Sequence, residues 1–586
     1  MNIVVLLISY FFLGFLAVST LVLIFFWKDY YFIYNHRLLF VIGLEFSRYL
    51  TDYAVISVLI WYFTYYGEDL VMSAIWTNIQ GSLSSLLVIF IAHAANSYVG
   101  RFYTLLFSNT AYICGLMLLW LFNPYDVKWL VVISLVLLSI GTSGANILQD
   151  VLKDLVNDID KSQDQNKARS LARAAIWSRI AYLSGVMSAI LWVATDAVGG
   201  VHPYWRSTFL ICLITMTTTS IIFCAGHNIY HQGELTKRPA EVFFRMFGAR
   251  IKKLLKCNLR CFLKDSRQDR SPKNLEMEKI ESEGISQERP IHHLDTEGEE
   301  VRGTTFNQED MVVVKSLLRM FPMWGMFLVV SIISATGFTF FLQQYSNLYL
   351  SDKIPVQIYN IVQDFSRFSI LFLYRWICSL RKKEKVKIGI GMLCGIISCI
   401  FAWQLEVHRL KKVNKEDDIS SISFLWLVPQ FYVLGCMEGL TMDGLLKFYR
   451  SQMKEEPLLI SYGEEYIEIV MGLGKLINIL LILVFDSQSG WFGDTINESR
   501  LDKYYLVLVY VCSANFILYC FIATYFYKDL ELADDNQKQD DQPLAGNDQK
   551  YGTLVLANDD QKQDKHVLAS EYGSISRVDR RRSFKV

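Results

Sequence analysis

Long uninterrupted runs of apolar residues constrain this chain more than any other feature of its sequence. A helix needs about 20 apolar residues to cross the hydrocarbon core of a bilayer, and only helices or closed barrels satisfy their backbone there. The runs in this chain reach about that length, and the charged residues collect between them. Barrel strands would instead show alternating segments of about 10 residues. The runs therefore predict an all-α membrane protein.

Composition narrows the classes of function. Basic and acidic residues number 57 each, so the formal net charge is zero and gives no case for a nucleic-acid partner. Most of the 11 cysteines lie inside apolar runs, without metal-type spacing or a disulfide framework. Because we find no nucleophile–base motif, phosphate-binding loop or metal cluster, we predict no metal, no cofactor and no enzymatic activity. The expected partners are the lipid bilayer and a small-molecule substrate, with protons and the oligomeric state left open.

Twelve predicted spans follow a further apolar segment at residues 3–26. They are 38–65, 72–96, 102–122, 129–149, 174–197, 207–230, 317–350, 356–378, 387–405, 423–446, 461–485 and 504–527. They divide six and six around a long polar stretch, which is the layout of the major facilitator fold with its two six-helix bundles. The predicted domains are an extra N-terminal segment, an N-terminal bundle, a cytoplasmic linker, a C-terminal bundle and a disordered cytoplasmic tail, at 1–30, 31–231, 232–312, 313–528 and 529–586.

Lysine and arginine in the short loops predict which side each loop faces. Both ends of the twelve-span core are placed in the cytosol by four basic clusters, at Arg101, 153–169, 381–387 and 450–454. One loop conflicts with this orientation because it would carry four basic residues outside, namely Arg409, Lys411, Lys412 and Lys415. We keep the orientation on the weight of the other loops. The plasma membrane is favoured, and the vacuolar or another internal membrane is also compatible.

Three further segments lie outside the twelve spans. Segment 3–26 has basic residues after it rather than before it, which favours an extra span over a signal peptide, with a mis-annotated start as the alternative. In the linker, residues 241–264 predict a basic amphipathic helix on the cytoplasmic leaflet, and residues 265–310 are predicted to be disordered. The tail after 528 is polar and repeats one short motif, which is typical of a solvated low-complexity segment.

A set of short motifs lies in collinear order between about residues 38 and 528. It includes Asn96-Ser-Tyr-Val-Gly-Arg-Phe102, Gly141-Thr-Ser-Gly144, Leu317-Leu-Arg-Met-Phe-Pro-Met-Trp324, Leu427-Val-Pro-Gln-Phe431 and Asn497-Glu-Ser-Arg-Leu-Asp-Lys-Tyr-Tyr505. Together these motifs resemble the plant nitrate and peptide transporter (NPF) family, within the proton-coupled oligopeptide transporters of the major facilitator superfamily. The resemblance implies proton-driven uptake of nitrate, short peptides or plant metabolites through a site midway between the two halves.

This chain departs from the coupling pattern that the resemblance implies. The family's Glu-x-x-Glu-Arg motif in the first core helix is matched by Glu45, Arg48 and Tyr49. The family's fourth-helix lysine, seventh-helix histidine and tenth-helix glutamate are matched by Asn146, Ser334 and Lys447. The altered signs argue against ordinary proton coupling and against histidine-based recognition of nitrate.

Charged side chains inside the apolar helices mark the candidate positions, because a charge at mid-bilayer costs about 2.5–3.5 kcal/mol even on the mildest scale. We expect Arg48 and Lys447 to attract an anion and Glu45 to carry a proton. The candidate substrate-binding residues are Arg48, Tyr49, Tyr53, Asn146, Ser334, Thr336 and Lys447. Gate or structural ion pairs are expected at Asp52, Asp364, Arg367, Asp443, Glu468 and Lys475.

The leading hypothesis is therefore an alternating-access transporter for a small organic or anionic solute. An uncoupled facilitator and a non-transporting receptor or scaffold are the alternatives on the same fold.

Overall fold

Long helices make up nearly all of the structure. The computed structural model describes residues 36–122, 128–161, 167–198, 205–227, 230, 308–349, 355–377, 384–413, 420–453, 460 and 462–526. The helices of the N-terminal half are α1 (His36–Ala54), α2 (Leu59–Tyr65), α3 (Leu70–Ser97), α4 (Arg101–Leu121), α5 (Lys128–Ser143), α6 (Ala145–Lys161), α7 (Lys167–Val198) and α8 (Trp205–Ala225). Those of the C-terminal half are α9 (Gln308–Thr336), α10 (Gln357–Ile377), α11 (Glu384–Lys412), α12 (Val428–Gln452), α13 (Gly463–Ser489) and α14 (Leu501–Phe521). Each of the twelve predicted spans coincides with one of these helices or with two in series.

Some of the predicted segments fall outside the described residues. These are the extra span at 3–26, the amphipathic helix at 241–264 and the tail after 528, which stay predictions together with the domain boundaries. The chain divides into two compact units, Met1–Cys520 and Phe521–Val586. In the second unit, the structure describes Phe521 and the π-helical turn Ile522–Phe526. All contacts given below belong to the first unit.

Within the described residues, nine helical segments are long and apolar enough to cross a membrane. Three long helices, α1, α10 and α12, are not among them. These three carry charged residues that the sequence analysis singled out, including Glu45 in α1, Asp364 in α10 and Lys447 in α12. Glu45 is buried, and the Asp364 side chain is only 18 % exposed. Helices α1 and α10 therefore turn charge toward the interior of the bundle.

Glycines set how closely two pairs of helices approach. A Cβ on Gly141 would lie 2.5 Å from the Cβ of Tyr112, so the α4 and α5 backbones are nearly in contact. At Gly144, where a Cβ would collide with a serine of α4, the helix breaks between α5 and α6. In the C-terminal half, a Cβ on Gly439 would lie 2.6 Å from the carbonyl oxygen of Arg367. Helices α10 and α12 therefore form a tightly packed pair.

Arg409 belongs to the loop that conflicts with the predicted orientation. It is fully buried, and its guanidinium donates to both carboxylate oxygens of Glu406, at 2.7 and 3.1 Å. Gln344 donates to the same carboxylate at 2.8 Å, and Arg409 also donates to the side chain of Asn497. Arg409 is thus half of an internal ion pair rather than a free loop charge, whereas Lys411 is exposed. Arg409 therefore no longer counts as a free loop charge against the predicted orientation, and the orientation itself stays a prediction.

The two halves are in contact at the end of the bundle that is predicted to face outside. Gln343, in the turn after α9, donates to Thr64 of α2 at 3.1 Å. The backbone nitrogen of Leu70, at the start of α3, donates to the carbonyl oxygen of Asp494 at 3.3 Å. Two short strands, β1 (Leu348–Tyr349) and β2 (Ser420–Ser423), pair in parallel within the C-terminal half. In this conformation the halves are therefore joined at that end.

Candidate functional site

A cavity of about 400 Å³ lies between the two halves. Ligand pockets are typically about 300–1,000 Å³, so this one is large enough for a small solute. Most of the residues that line it are polar, and they include Tyr49, Asp52, Tyr53, Asn78, Tyr182, Asn360, Gln363, Asp364, Arg367, Glu468 and Lys475. Those from Tyr49 to Tyr182 belong to α1, α3 and α7 of the N-terminal half, and those from Asn360 to Lys475 belong to α10 and α13 of the C-terminal half. Both halves thus contribute polar atoms to one space.

Helical spacing explains how two of the helices deliver this polar wall. In α10, Asn360, Gln363, Asp364 and Arg367 stand at i, i+3, i+4 and i+7, which places them on one face. Helix α3 shows the same kind of polar face between residues 77 and 85. Polar groups at membrane depth occur where they are buried in protein or line a water-filled space. The two faces therefore form parts of the cavity wall, one from each half.

Three buried amide side chains on the wall have unmet hydrogen-bonding capacity. Asn78 Nδ2, Asn360 Oδ1 and Gln363 Oε1 make no hydrogen bond to any described residue. A buried polar group without a partner costs about 1–3 kcal/mol. The three amides therefore suit a cavity that is filled by water or by a polar solute.

Arg367 lies between two carboxylates on the C-terminal wall. Its Nη2 is 3.6 Å from Asp364 Oδ1, and its Nη1 is 3.8 Å from Glu438 Oε2. The second oxygen of Glu438 accepts a hydrogen bond from Ser334 at 2.5 Å. The Arg367 side chain is 41 % exposed, so part of its surface remains open to the cavity. This cluster of Asp364, Arg367 and Glu438 holds two formal negative charges and one positive charge.

Tyr182 of α7 connects this cluster to the N-terminal half. Its hydroxyl donates to Asp364 Oδ2 at 2.7 Å and lies 2.8 Å from the hydroxyl of Tyr53. The ring of Tyr49 packs edge-on against the ring of Tyr182, with centroids 5.1 Å apart. The chain of hydrogen bonds from Tyr53 through Tyr182 to Asp364 therefore crosses between the halves at the cavity wall.

Lys475 of α13 makes a second polar contact between the halves. Its amine donates to the carbonyl oxygen of Gly81 at 3.2 Å and to the hydroxyl of Ser85 at 3.3 Å. Ser85 in turn donates to Glu468 at 3.1 Å. Because the hydrogen bonds of the Lys475 amine go to uncharged groups, its positive charge can act on whatever occupies the cavity.

Several residues named in the sequence analysis lie on the cavity wall. Tyr49 and Tyr53, expected as substrate-binding residues, line it. It is also lined by residues that we expected in gates or structural ion pairs, namely Asp52, Asp364, Arg367, Glu468 and Lys475. The charge at the cavity therefore comes from a different set of residues than the one we expected to attract a solute.

Arg48 and Glu45 lie behind the wall rather than on it. The Arg48 guanidinium donates to the carbonyl oxygens of Gly141 and Thr142, at 2.5 and 3.3 Å. Glu45 accepts a hydrogen bond from Ser178 at 2.5 Å. These hydrogen bonds to the end of α5 hold the Arg48 side chain away from the cavity.

The remaining expected residues are placed elsewhere. Lys447 pairs with Asp443 of its own helix at 2.7 Å, and Lys387 of α11 binds the same carboxylate. Thr336 is fully buried and donates to the carbonyl oxygen of Ile332 at 2.9 Å, while Asn146 is half-buried in α6. The expectation that Arg48 and Lys447 face one central opening does not match this placement, because each is held by partners of its own half.

Sequence reasoning missed most of the wall, including the polar side chains of Asn78, Tyr182, Asn360 and Gln363. The amides carried a usable signal, since polar residues three and four apart inside an apolar helix indicate a face that avoids lipid. Tyr182 carried no such signal, because a single tyrosine in a membrane helix is more often a packing residue.

The comparisons with known proteins agree with this geometry. The profile of the POT family matches residues 102–482. The chain is 26% identical to Protein NRT1/ PTR FAMILY 5.7 of Arabidopsis thaliana over 555 residues, which covers 84% of this chain and 88% of that protein. It is 25% identical to Protein NRT1/ PTR FAMILY 5.9 of the same plant over 524 residues, covering 79% and 90% of the two chains.

Solved structures show the same fold. An auto-inhibited POT family peptide transporter has a TM-score of 0.59 and 13% identity, covering 83% of this chain and 97% of the other. A POT family transporter in complex with a thioalcohol-conjugated peptide has a TM-score of 0.53 and 12% identity, covering 83% and 96%. The predicted resemblance to the NPF family and the predicted major facilitator fold are both confirmed.

Proposed function

Because the chain belongs to the POT family, we propose that it carries a small solute across a membrane by alternating access to the cavity between its halves. Its family and fold are those of integral multi-pass membrane transporters. The observation that carries the proposal is the cavity of about 400 Å³, which both halves line with charged side chains and unmet amides. A site between two six-helix halves can be exposed to either side when one half rocks against the other.

The wall supports a solute that bears a negative group, in the class of nitrate, short peptides and organic anions. Asp364 is engaged by Tyr182 and Arg367, whereas among the described residues the amine of Lys475 hydrogen-bonds only to uncharged groups. A carboxylate or similar anion at Lys475 would form the charge-assisted hydrogen bond that this amine lacks. The unmet amides and the tyrosine rings would orient the rest of the molecule.

Solute uptake into proteoliposomes tests the assignment. The full chain is reconstituted and screened with nitrate, a dipeptide and a hormone-like carboxylate, with and without an inward proton gradient. Uptake of one class supports the transporter and discards the receptor or scaffold. Uptake that is indifferent to the gradient identifies the uncoupled facilitator, and no uptake of any class contradicts the proposal.

Two matched lysine variants test whether Lys475 binds the anionic group of the solute. Lys475→Gln should weaken the apparent affinity for the solute by about 10- to 100-fold, because hydrogen bonds to charged groups are worth about 1.5–3 kcal/mol. Lys447→Gln removes an equal charge away from the cavity, and Asp443 keeps Lys387 as a partner. This control should stay within about twofold of the unsubstituted protein. Loss of affinity in Lys447→Gln alone would restore the expectation from the sequence.

A further inference from the structure

One cluster beside the cavity holds more carboxylates than cations. Behind the wall, Glu45 is attracted by Arg48 and Arg179, and on the wall Asp52 is attracted by Arg48. On the wall, Lys475 is attracted by Glu468 and, less strongly, by Glu438. The cluster of Asp364, Arg367 and Glu438 is left with two carboxylates for one guanidinium. One proton would make this cluster neutral.

The contact distances indicate that the Arg367 guanidinium lies between Asp364 and Glu438 without a close ion pair to either carboxylate. Arg367 is 3.6 Å from one carboxylate and 3.8 Å from the other, and both distances exceed those of a hydrogen bond. If either carboxylate were neutral, Arg367 could close on the one that stays charged. The cluster therefore has two arrangements that differ by a proton.

Asp364 is also the member of the cluster that contacts the opposite half. Tyr182 donates to it at 2.7 Å, and four residues further along α10 the ring of Phe368 lies under the guanidinium of Arg179 at 3.8 Å. A hydrogen bond to a charged acceptor is roughly twice as strong as one between neutral groups. The charge on Asp364 therefore strengthens a bond that spans the two halves.

Glu45, the carboxylate at the position expected to carry the proton, is less suited to exchange with the cavity. It is 2 % exposed, it does not line the wall, and one of its oxygens bonds no described residue. Asp364 lines the wall, next to Gln363, whose buried Oε1 has no partner among the described residues and can hold water beside the carboxylate. A proton arriving through cavity water therefore reaches Asp364 directly, whereas Glu45 lies behind the wall.

We propose that the coupling proton of this transporter binds the cluster of Asp364, Arg367 and Glu438, and that its binding weakens the hydrogen bond by which Tyr182 joins the two halves. The proposal rests on the proposed transport function and names the proton site within it. A proton from water on one side binds a carboxylate oxygen of Asp364 and gives a neutral acid. Arg367 then pairs with Glu438 alone, the halves separate at Tyr182, and the proton leaves to water on the other side.

The direction of the pH dependence follows from this sequence of events. The ionised form of Asp364 stabilises the arrangement in which Tyr182 contacts it, so this arrangement is favoured at high pH and lost as pH falls. A ligand shifts a conformational equilibrium only by its difference in affinity for the two states. With the Tyr182 bond reduced by about half, we expect the ratio of the two populations to change about tenfold between pH 8 and pH 5.

The test measures a distance between the halves, with the proton itself as the ligand. Spin labels are attached through keto-bearing residues that replace Tyr65 and Trp426, which are 51% and 67% exposed and lie in different halves. Native cysteines then need no replacement. Distances are measured by pulsed electron paramagnetic resonance on the full chain in lipid nanodiscs at pH 5 and pH 8.

The variants distinguish Asp364 from Glu45 as the site that binds the proton. The otherwise unsubstituted chain should show a pH-dependent shift between two distances, and Asp364→Asn should show the low-pH distribution at both pH values. Tyr182→Phe keeps the ring but should abolish the shift, which gives a second variant if Asp364→Asn does not fold. Asp443→Asn, the matched control in the same half, should keep the shift, and so should Glu45→Gln.

Two results would overturn the proposal. The first is the absence of any shift in the unsubstituted chain between pH 5 and pH 8. The second is a shift that survives in Asp364→Asn and disappears in Glu45→Gln. This test and the uptake assay can fail independently. Uptake without a pH-dependent distance shift would contradict the proton site alone, and a shift without uptake of any solute would contradict the solute assignment alone.

Discussion

Glu406→Gln is predicted to destabilise the C-terminal half more than any surface substitution. Glu406 is the counter-charge of Arg409, and both side chains are 0% exposed. Removal of one partner from a buried ion pair costs about 3–5 kcal/mol, because the other charge is left buried without compensation. In domains of 150–250 residues each kcal/mol moves the melting temperature by about 2–4 °C. We therefore expect a fall of about 6–20 °C.

The measurement is the fraction of monodisperse protein that remains after heating in detergent, followed by size-exclusion chromatography. Membrane proteins of this size unfold irreversibly, so all variants are heated at one rate. Lys411→Gln, an exposed change in the same helix, should shift the midpoint by no more than about 2 °C, because surface substitutions stay within about 0.5 kcal/mol.

The pair Glu406→Leu with Arg409→Met provides the decisive comparison. Buried ion pairs replaced as a whole by apolar residues of similar volume are often neutral or stabilising. The double variant should therefore recover most of the stability that Glu406→Gln loses. A single variant that melts like Lys411→Gln, or a double variant as unstable as the single one, would refute the reasoning.

Two further predictions concern glycines. Gly439→Ala should lower the melting midpoint by several degrees, because its Cβ would meet the Arg367 carbonyl oxygen at 2.6 Å and a backbone atom cannot swing away. Gly325→Ala meets nothing within 4 Å and should melt at the same temperature or slightly higher, since alanine is the better helix former; equal midpoints for the two variants would contradict the tight packing of α10 on α12. Gly81→Ala should fold normally, because its Cβ would meet only the flexible end of Lys475, 3.3 Å away. Its apparent KM in the uptake assay should rise several-fold as the amine is displaced, and an unchanged KM would remove Lys475 from the solute site.

The fold was predictable because the length of an apolar run is a property of the chain alone. Even α1, α10 and α12, which carry several charges, were recognised as spans from the apolar residues around those charges. The break at Gly144 was not predicted, because it depends on a collision with α4 that the local sequence does not contain. Periodicity states which residues share a face but not which neighbour that face meets.

The site was predictable only in part, for the same physical reason. Charges inside apolar helices marked positions such as Asp364 and Lys475 as unusual, and both of these residues line the cavity. Whether a marked charge lies on the cavity wall or behind it depends on partners from distant segments. Arg48 was drawn to carbonyl oxygens 93 and 94 residues away, and no spacing rule within α1 reveals those acceptors.

The close contact between α10 and α12 at Gly439 affects how a local change among their side chains is transmitted to the rest of the protein. Two helices whose backbones touch move as one rigid body, so the backbone positions on α10 and α12 stay fixed relative to each other. Tyr182 belongs to another helix, α7. A rearrangement among the side chains of α10 and α12 therefore displaces this rigid pair relative to α7 and does not separate α10 from α12.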